Sequence, residues 1–261
     1  MSKIVDRTLD LLELFAEQKR PLSLSDIAHL LKIPVSSCHD VLRAMRARGY
    51  LYEVAPRAGY YPTRRLQAIS NVIGENDPVS ARAEPVLRSL RDLIDESVML
   101  SKVRGLEATY LLVFDAKHPL RFTVKVGDNV RTIYATSGGK ALLGSLDDST
   151  LDTFLKKKSL KSITKRTITT RAALKRDIDL GRKRGWFLNR GESQDGVSTL
   201  SATFAWNASV YIVTIAGPSS RLDKVLEAAA SSLKEACAAL EMTSDAPQSI
   251  QRQVQGRRHA D

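Results

Sequence analysis

The chain has 261 residues, of which 43% are hydrophobic and 26% charged, a composition typical of globular proteins. A formal net charge of +11 favours a polyanion, an anionic membrane surface or anionic ligands as partners. The two cysteines exclude a disulfide scaffold, and the four histidines lack metal-ligand spacing, so we expect no metal. Because the sequence also lacks a membrane-length apolar run and a signal-peptide core, we expect a cytoplasmic protein with no membrane partner.

The N-terminal part has the pattern of three helices. Apolar residues at helical spacing predict a first helix over 4–16, and Ser23 marks the start of a second one. Pro34 lies in the turn that follows, a third helix is predicted over 35–48, and Gly49 serves as its C-terminal stop. The predicted inner face of this third helix consists of Cys38, Val41, Leu42 and Met45.

The outer face of the third helix carries hydroxyl, imidazole and guanidinium groups, which suit the base edges and phosphates of a DNA major groove. The segments 51–54 and 59–62 flank a turn and predict a hairpin wing with Arg57 at its tip. We interpret this pattern as a winged helix-turn-helix that binds double-stranded DNA; a helical bundle that serves protein contacts is the alternative. The predicted DNA contacts are Ser25, Lys32, Ser36, Ser37, His39, Asp40, Arg43, Arg46 and Arg57.

A linker separates the winged helix-turn-helix from the rest of the chain. Apolar residues at helical spacing predict a linker helix, and the break at Gly74 to Pro78 places a boundary near 75–78. A helix over 81–95 then opens the second domain. The predicted organisation is a DNA-binding domain at 1–62, a linker helix at 63–77, a second domain at 78–243 and a disordered tail at 244–261.

In the second domain, short β-branched and aromatic runs mix with helices without strict alternation, which favours an α+β fold around a mostly antiparallel sheet. The segment 121–126 alternates apolar and polar residues and is predicted as a strand with one buried face. The other predicted strands are 98–103, 109–114, 186–188, 199–204 and 210–215, and the predicted helices are 139–146, 149–157, 171–184 and 221–240.

The densest block of charge is 154–190, with 13 basic and 2 acidic residues. Since this block lies outside the helix-turn-helix, the total charge does not by itself locate a nucleic-acid site. We interpret the block as a solvated, lysine-rich helical face.

Short motifs over nearly the whole chain resemble the IclR family of bacterial transcription regulators. They are LSLSDIA at 22–28, IPVSSCH at 33–39, RGYL at 48–51, GDNV at 127–130, ATSGGKALL at 135–143, Gly181 through Gly185 with Glu192 and Gly196, and AGP at 216–218 with Arg221. This resemblance, over 3–243, implies a two-domain protein in which an all-α winged helix-turn-helix precedes a GAF-like α+β domain for effector binding and oligomerisation. It also implies a homodimer or tetramer. The chain departs from the family at Asp40, where Arg is usual; an aspartate accepts from cytosine but repels phosphate.

The resemblance places 135–143 at the mouth of an effector pocket. A helix start at Ser137 offers backbone N–H groups and a positive dipole end, which suit a carboxylate, and small organic and aromatic acids are the family's usual effectors. The family often has Cys where this chain has Thr199 and Ser where it has Ala216, so the identity of the effector cannot be transferred from a relative. Alternatively, the glycines only permit a tight turn and close packing. The predicted effector contacts are Thr136, Ser137, Gly138, Gly139, Glu192, Thr199, Ser201, Thr214 and Ala216.

An enzyme is the remote alternative. Ser137 and Lys140 match the S-x-x-K pattern of serine acyl-transfer enzymes, but 231–234 matches it too, and the S-D-N and K-T-G elements are absent. We therefore predict a non-enzymatic, ligand-responsive DNA-binding regulator, repressor or activator, of genes for small organic or aromatic acid metabolism. It needs no cofactor; its partners are a DNA operator and a small-molecule effector, expected to be a carboxylate. A small-molecule sensor or interaction module without sequence-specific DNA binding is the main alternative.

Overall fold

The computed structural model of the protein describes residues 3–55 and 58–242, and these form two compact units that divide between Asp77 and Pro78. The wing tip with Arg57 and the predicted tail at 244–261 lie outside the described residues.

The first unit consists of helices and a two-stranded hairpin. Strands β1 (Leu51–Glu53) and β2 (Tyr60–Pro62) pair antiparallel with Tyr52 opposite Tyr61, and Leu22 forms a bridge with Tyr60 just before the second helix. This order of helices and hairpin confirms the predicted winged helix-turn-helix. The elements are α1 (Lys3–Gln18), α2 (Leu24–Leu31), α3 (Val35–Ala47), β1 (Leu51–Glu53), β2 (Tyr60–Pro62) and α4 (Arg65–Glu75).

Local sequence explains where the helices of this unit begin and end. Helix α2 begins at a capping box, in which the Asp26 N–H donates to Ser23 Oγ and the Ser23 N–H donates to Asp26 Oδ2, each at 3.1 Å. Helix α3 ends where Gly49 adopts a φ of 73° and the Tyr50 N–H bonds to the Met45 carbonyl. The predicted inner face of α3 is confirmed, because Cys38, Val41, Leu42 and Met45 are all buried.

The second unit is built on a five-stranded antiparallel sheet. Its strand order is β4 (Glu107–Phe114), β3 (Ser97–Arg104), β7 (Ser209–Pro218), β6 (Val197–Trp206) and β5 (Phe187–Arg190). This confirms the predicted α+β class. Its elements are α5 (Pro78–Ile94), β3 (Ser97–Arg104), β4 (Glu107–Phe114), α6 (Ser137–Gly144), α7 (Asp148–Lys157), α8 (Arg171–Arg184), β5 (Phe187–Arg190), β6 (Val197–Trp206), β7 (Ser209–Pro218), α9 (Ser219–Leu222), a 3-10 turn (Asp223–Val225) and α10 (Leu226–Met242).

The two faces of this sheet pack against different helices. One face meets α5 and α10, where Leu87 and Leu233 join the core. The other face meets α6 and α8, and Leu142 and Ile178 pack there together with Phe187. This second face carries the hydroxyl side chains of β6 and β7 that contact α6.

Two predictions from periodicity need correction. The segment 121–126, predicted as a strand, lies outside the sheet as irregular chain. Its alternation reflects one-sided burial, because Phe122 and Val124 are half-buried between exposed polar neighbours, and the Phe122 carbonyl accepts from Ser97 Oγ at 2.6 Å. The helix predicted over 81–95 begins three residues earlier, at Pro78, because the first position of a helix tolerates proline; the predicted break remains, since α4 ends at Glu75.

Candidate nucleic-acid interface and ligand cavity

Helix α3 presents a polar face opposite its buried stripe. Ser36, His39, Asp40, Arg43 and Arg46 are exposed, and Ser37 is half-buried. Pro34 occupies the N-cap without a side-chain hydrogen bond, so the first N–H groups of the helix have no side-chain cap from this residue. Uncapped N–H groups at a helix start suit a phosphate.

A hollow of about 440 Å³ lies between α3 and the hairpin, and His39, Arg43, Arg46 and Tyr60 contribute to its lining. Arg46 Nη1 lies 3.6 Å from Glu53 Oε2, and its guanidinium lies 5.8 Å from the Tyr60 ring centroid. The hairpin therefore orients Arg46. Glu53 and Tyr60 were not predicted as part of this site, because their contact with α3 depends on how the hairpin packs.

The structure separates Asp40 from this hollow. Asp40 and Ser37 line a groove of about 630 Å³ that α1 also borders. Arg43 Nη2 lies 3.4 Å from Asp40 Oδ1, and both side chains are largely exposed, so Asp40 partly offsets a predicted phosphate contact. The exposed Ser25 and Lys32 lie at α2, and Lys32 is its left-handed C-cap with a φ of 54°.

In the second unit, a cavity of about 660 Å³ lies beside the start of α6. Its lining contains two cationic side chains, Lys125 and Arg131, and one carboxylate, Asp128, so the lining carries net positive charge. Burial, together with the nearby Asp128, raises the pKa of Tyr110 to about 12 and keeps its phenol neutral. The lining residues are Tyr110, Phe122, Thr123, Val124, Lys125, Asp128, Asn129, Arg131, Thr132, Thr136, Ser193 and Gln194.

Of the predicted effector contacts, Thr136 belongs to this lining. It is also the N-cap of α6, where its hydroxyl accepts from the Gly139 N–H at 3.1 Å. The helix range 139–146 predicted from periodicity begins two residues late, whereas the helix start at Ser137 predicted for the pocket mouth is confirmed. Most of the other lining residues come from the irregular segment before α6, for which the sequence had predicted a strand at 121–126 followed by the GDNV motif.

Four predicted effector contacts form a buried hydroxyl network. Ser137 Oγ lies 2.6 Å from Thr199 Oγ1 and 2.8 Å from Ser201 Oγ, which is 2.8 Å from Thr214 Oγ1. The network reaches the cavity through Asn189, whose Nδ2 donates to Thr199 Oγ1 and to Ser193 Oγ. These buried hydroxyls therefore connect the start of α6 to Ser193 in the cavity wall through hydrogen bonds. The members are Ser137, Thr199, Ser201 and Thr214.

The remaining predicted contacts on this face are small residues. A methyl group on Gly139 would collide with the Ile133 backbone, so a side chain there is excluded by close packing. A methyl group on Gly138 would lie 3.6 Å from Thr214 Oγ1, an ordinary contact distance. Ala216 is buried and pairs with Thr199 in the neighbouring strand.

Glu192, also predicted as an effector contact, instead bonds to a buried lysine. Lys140 Nζ donates to Glu192 Oε1 at 2.6 Å and to the Leu188 carbonyl at 2.9 Å, and it lies 2.8 Å from Asp177 Oδ2. Burial raises the pKa of Glu192, although the Lys140 charge opposes this shift. From the sequence, Lys140 was singled out only within the S-x-x-K pattern. The ion cluster was not predicted, because Asp177 and Glu192 are distant from Lys140 in the sequence.

Two further features bear on function. Among the described residues, no helix has the length and apolar character needed to cross a membrane. The same part of the chain contains no group of three or more His, Cys, Asp or Glu side chains that could hold a metal ion.

Comparison with known proteins identifies the family. A profile of the bacterial transcriptional regulator IclR C-terminal domain matches residues 73–242, and a profile of the IclR helix-turn-helix domain matches residues 4–55. The chain belongs to the IclR family. This IclR-family chain is 25% identical over 236 residues to the transcriptional repressor IclR of Escherichia coli, covering 88% of this chain and 86% of that protein. It is a ligand-responsive transcription regulator with a DNA-binding helix-turn-helix, and not an enzyme.

Solved structures share the fold of the IclR-family chain. The Thermotoga maritima IclR is 21% identical, with a TM-score of 0.78 over 94% of this chain and 100% of that one. An IclR homologue of Microbacterium hydrocarbonoxydans, solved in complex with 4-hydroxybenzoate, is 20% identical, with a TM-score of 0.74 over 94% and 100% of the two chains. At these identities the likeness establishes the common two-domain architecture.

Proposed function

We propose that this regulator binds a double-stranded operator as a homodimer through α3 and its wing, and that a small organic or aromatic carboxylate in the cavity changes the affinity for DNA. Its target genes are then those that metabolise this acid. The observation that carries the proposal is a ligand-sized cavity with a net positive lining in the same chain as an exposed cationic recognition helix. Because the effector favours one of two protein states, it shifts the population that binds DNA.

The DNA contact is supported by the exposed face of α3. His39, Arg43 and Arg46 line one hollow and present ring nitrogens and guanidinium groups toward solvent. Such groups read guanine edges or bind phosphates when a helix enters the major groove. Ser36 and Ser37 lie at the start of α3, where their hydroxyls and the backbone N–H groups suit a phosphate. Ser25 and Lys32 are exposed at α2 and are proposed as backbone contacts.

The carboxylate is supported by the composition of the cavity wall. Lys125 and Arg131 supply positive charge, while Phe122, Val124 and Tyr110 supply an apolar or aromatic surface. This combination suits an anionic group attached to an apolar ring or chain. The Microbacterium homologue that binds 4-hydroxybenzoate is an example of such a ligand in the same fold. The hydroxyl network, with Gly138, Gly139, Glu192 and Ala216, is proposed to support the wall rather than to contact the ligand directly.

Dimerisation is supported by apolar side chains that the first unit leaves exposed. Helix α4 buries none of its residues, and Val72 and Ile73 on it are 60% and 66% exposed. On α1, Ile4 and Leu9 are 66% and 54% exposed. An isolated helix as short as α4 is marginal in water, so its apolar residues favour a second copy of the chain as partner. A tetramer is the alternative assembly.

Selection from genomic DNA tests the operator proposal. Purified protein retains sheared genomic DNA, and the retained fragments are sequenced with and without added metabolite extract. A few enriched sites with a shared pseudo-palindrome are expected, and the flanking genes should encode enzymes that act on organic acids. If no fragment is enriched over bulk DNA in either condition, the chain is a sensor or interaction module instead.

Ligand binding tests the carboxylate proposal. Calorimetric titration compares 4-hydroxybenzoate with 4-hydroxybenzyl alcohol, which has a similar ring and no charge. Tighter binding of the acid is expected, with a loss of about tenfold or more in the Arg131→Gln variant and little change in an Arg104→Gln control. Equal binding of acid and alcohol would contradict the carboxylate assignment.

Sedimentation tests the assembly. A Val72→Glu/Ile73→Glu variant should sediment as a monomer at concentrations where the wild type is a dimer, since charge on this surface opposes its burial. Leu106→Glu, at an exposed hairpin position, serves as the control and should leave the dimer intact. A dimer that survives the double substitution would place the interface elsewhere.

A further inference from the structure

The basic block is divided between two helices and the loop that joins them, whereas the sequence had indicated a helical face. Residues 153–176 contain nine basic and no acidic residues. Helix α7 ends at Lys157 and α8 begins at Arg171, so the intervening segment 158–170 is irregular. Four of the nine basic residues lie on this loop and five on the two helices, so a solvated helical face accounts for only part of this concentration of charge.

Five of these cations are close together and exposed, and we name Lys156, Lys157, Lys158, Lys161 and Arg171 the basic surface. Arg171 Nη2 donates to the Lys156 carbonyl at 2.7 Å, which brings the start of α8 beside the end of α7. Lys158 and Lys161 line one hollow of about 360 Å³ together with Thr132 and Tyr134. The five side chains thus belong to one continuous region of the second unit.

Although Lys156 lies near enough to Asp152 to help lower the pKa of that carboxyl, the described part of the chain shows no ion pairs for the basic surface. Neighbouring cations do have them, since Lys175 pairs with Asp152 and Arg182 pairs with Asp148. Lys156 and Lys157 in the last turn of α7 also complement its dipole. Lys158 is the C-cap of the same helix, whereas Lys161 lies three residues beyond this C-cap, where the dipole does not explain its charge.

Hydrogen bonds hold the loop that carries these cations. Tyr134 Oη donates to the Lys161 carbonyl at 2.9 Å. Thr167 Oγ1 accepts from the Ile163 and Thr164 N–H groups at 3.0 and 2.9 Å, and it bonds to the Glu192 carbonyl at 2.7 Å. Because the backbone is already fixed, binding a partner there costs little additional ordering of the chain.

We propose that the basic surface binds the phosphate backbone of duplex DNA without sequence preference, as a second DNA contact in addition to α3. Lysine heads act as point charges that neutralise phosphates, and each neutralised phosphate releases counterions. The only aromatic residue of 153–176 is the buried Phe154, so the surface offers no ring on which single-stranded bases could stack. The proposal rests on the proposed operator binding, since the first unit brings DNA to the same molecule and raises its local concentration.

The test measures how salt weakens binding of full-length protein to a fluorescein-labelled duplex of scrambled sequence. The variant Lys157→Gln/Lys158→Gln/Lys161→Gln is compared with Arg104→Gln/Lys224→Gln/Lys234→Gln, which removes the same charge from exposed positions elsewhere in the second unit. The slope of log K against log salt should become shallower by about 2–3 in the first variant, since each phosphate contact contributes about 0.9. It should change by less than about 0.5 in the control, and lysine-to-arginine replacements at the same three positions should retain the wild-type slope.

The outcomes separate this inference from the operator proposal. If the wild type binds the duplex and both triple variants have its slope, the basic surface does not touch DNA and the operator proposal stands. If the wild type shows no salt-dependent duplex binding at all, both proposals fail. Binding of the same variants to phosphatidylserine vesicles is measured as well. If the first triple variant loses vesicle binding but keeps the wild-type duplex slope, the DNA assignment is likewise overturned.

Discussion

Lys140 Nζ and Glu192 Oε1 lie 2.6 Å apart in the interior of the second unit, where the lysine side chain is 1% exposed. Lys140 belongs to α6, whose N-cap Thr136 lines the cavity. Glu192 belongs to the loop before β6, which also supplies Ser193 to the same lining. The ion pair therefore fastens two parts of the cavity wall to each other.

Removing the charge of Lys140 should destabilise the protein strongly. Lys140→Met leaves Glu192 and Asp177 without their cation in a buried site, and breaking a buried pair in this way costs about 3–5 kcal/mol. The free energy of unfolding from urea titration of the full chain measures the effect. Lys175→Met, which breaks the more exposed pair with Asp152, is the control and should cost far less, because solvent screens an exposed pair. Equal costs for the two variants would mean that the buried cluster contributes no more than a surface pair.

The stability contributed by Glu192 should fall as pH rises. Burial raises its folded-state pKa above the ordinary value of 4.5, so the folded protein binds more protons than the unfolded chain just above that pH. Stability then decreases with pH through this window, and Glu192→Gln should remove the decrease. Urea titrations at a series of pH values measure the difference between wild type and variant.

In the same unit, the stability contributed by Asp147 should depend on pH in the opposite direction. Hydrogen bonds from Ser149 and Thr150 hold the pKa of Asp147 well below its ordinary value of 3.8. The stability that the Asp147 carboxylate contributes is therefore present above its ordinary pKa of 3.8, and it is lost as pH falls through the folded-state pKa. The wild-type advantage over Asp147→Asn should grow with rising pH, whereas the advantage over Glu192→Gln should shrink. Parallel trends for the two variants would contradict both assignments.

Adjacent glycines in α6 should respond differently to the same substitution. Gly139→Ala places a methyl group against the Ile133 backbone and should cost about 1–3 kcal/mol, as overpacking does. Gly138→Ala meets its nearest atom at 3.6 Å and should change stability by less than about 1 kcal/mol, since alanine favours a helix. Thermal unfolding of both variants provides the comparison. A tolerated Gly139→Ala would show that this close approach is not required.

Arg43 and Asp40 should affect duplex binding in opposite directions. Arg43→Ala removes a cation that faces solvent from α3, and it should weaken binding and reduce the salt slope by about 1 per lost phosphate contact. Asp40→Asn removes a neighbouring negative charge and should strengthen binding to scrambled duplex. Anisotropy titrations measure both, with Arg88→Ala in the second unit as the control. Weaker binding in Asp40→Asn would instead indicate that this carboxylate accepts from a base.

Much of the first unit could be predicted because its signals are local. The buried stripe of α3 repeats at helical spacing, and Ser23 and Gly49 mark helix ends by their own hydrogen bonding and φ. The surroundings of Arg46 could not be predicted in this way. Its contacts with Glu53 and Tyr60 join residues from separate elements, and no spacing in the sequence encodes how a hairpin packs against a helix.

The sequence by itself determined the helix-turn-helix, the α+β class and the family resemblance, because periodicity, capping residues and short motifs act over a few neighbouring positions. Only the tertiary structure decided which side chains surround the cavity. The alternation at 121–126 is real, yet the segment lines the cavity and does not join the sheet, because a strand also needs a neighbour to pair with. The partner of Glu192 is likewise a residue 52 positions earlier, which only the packing of α6 beside the sheet brings within hydrogen-bond distance.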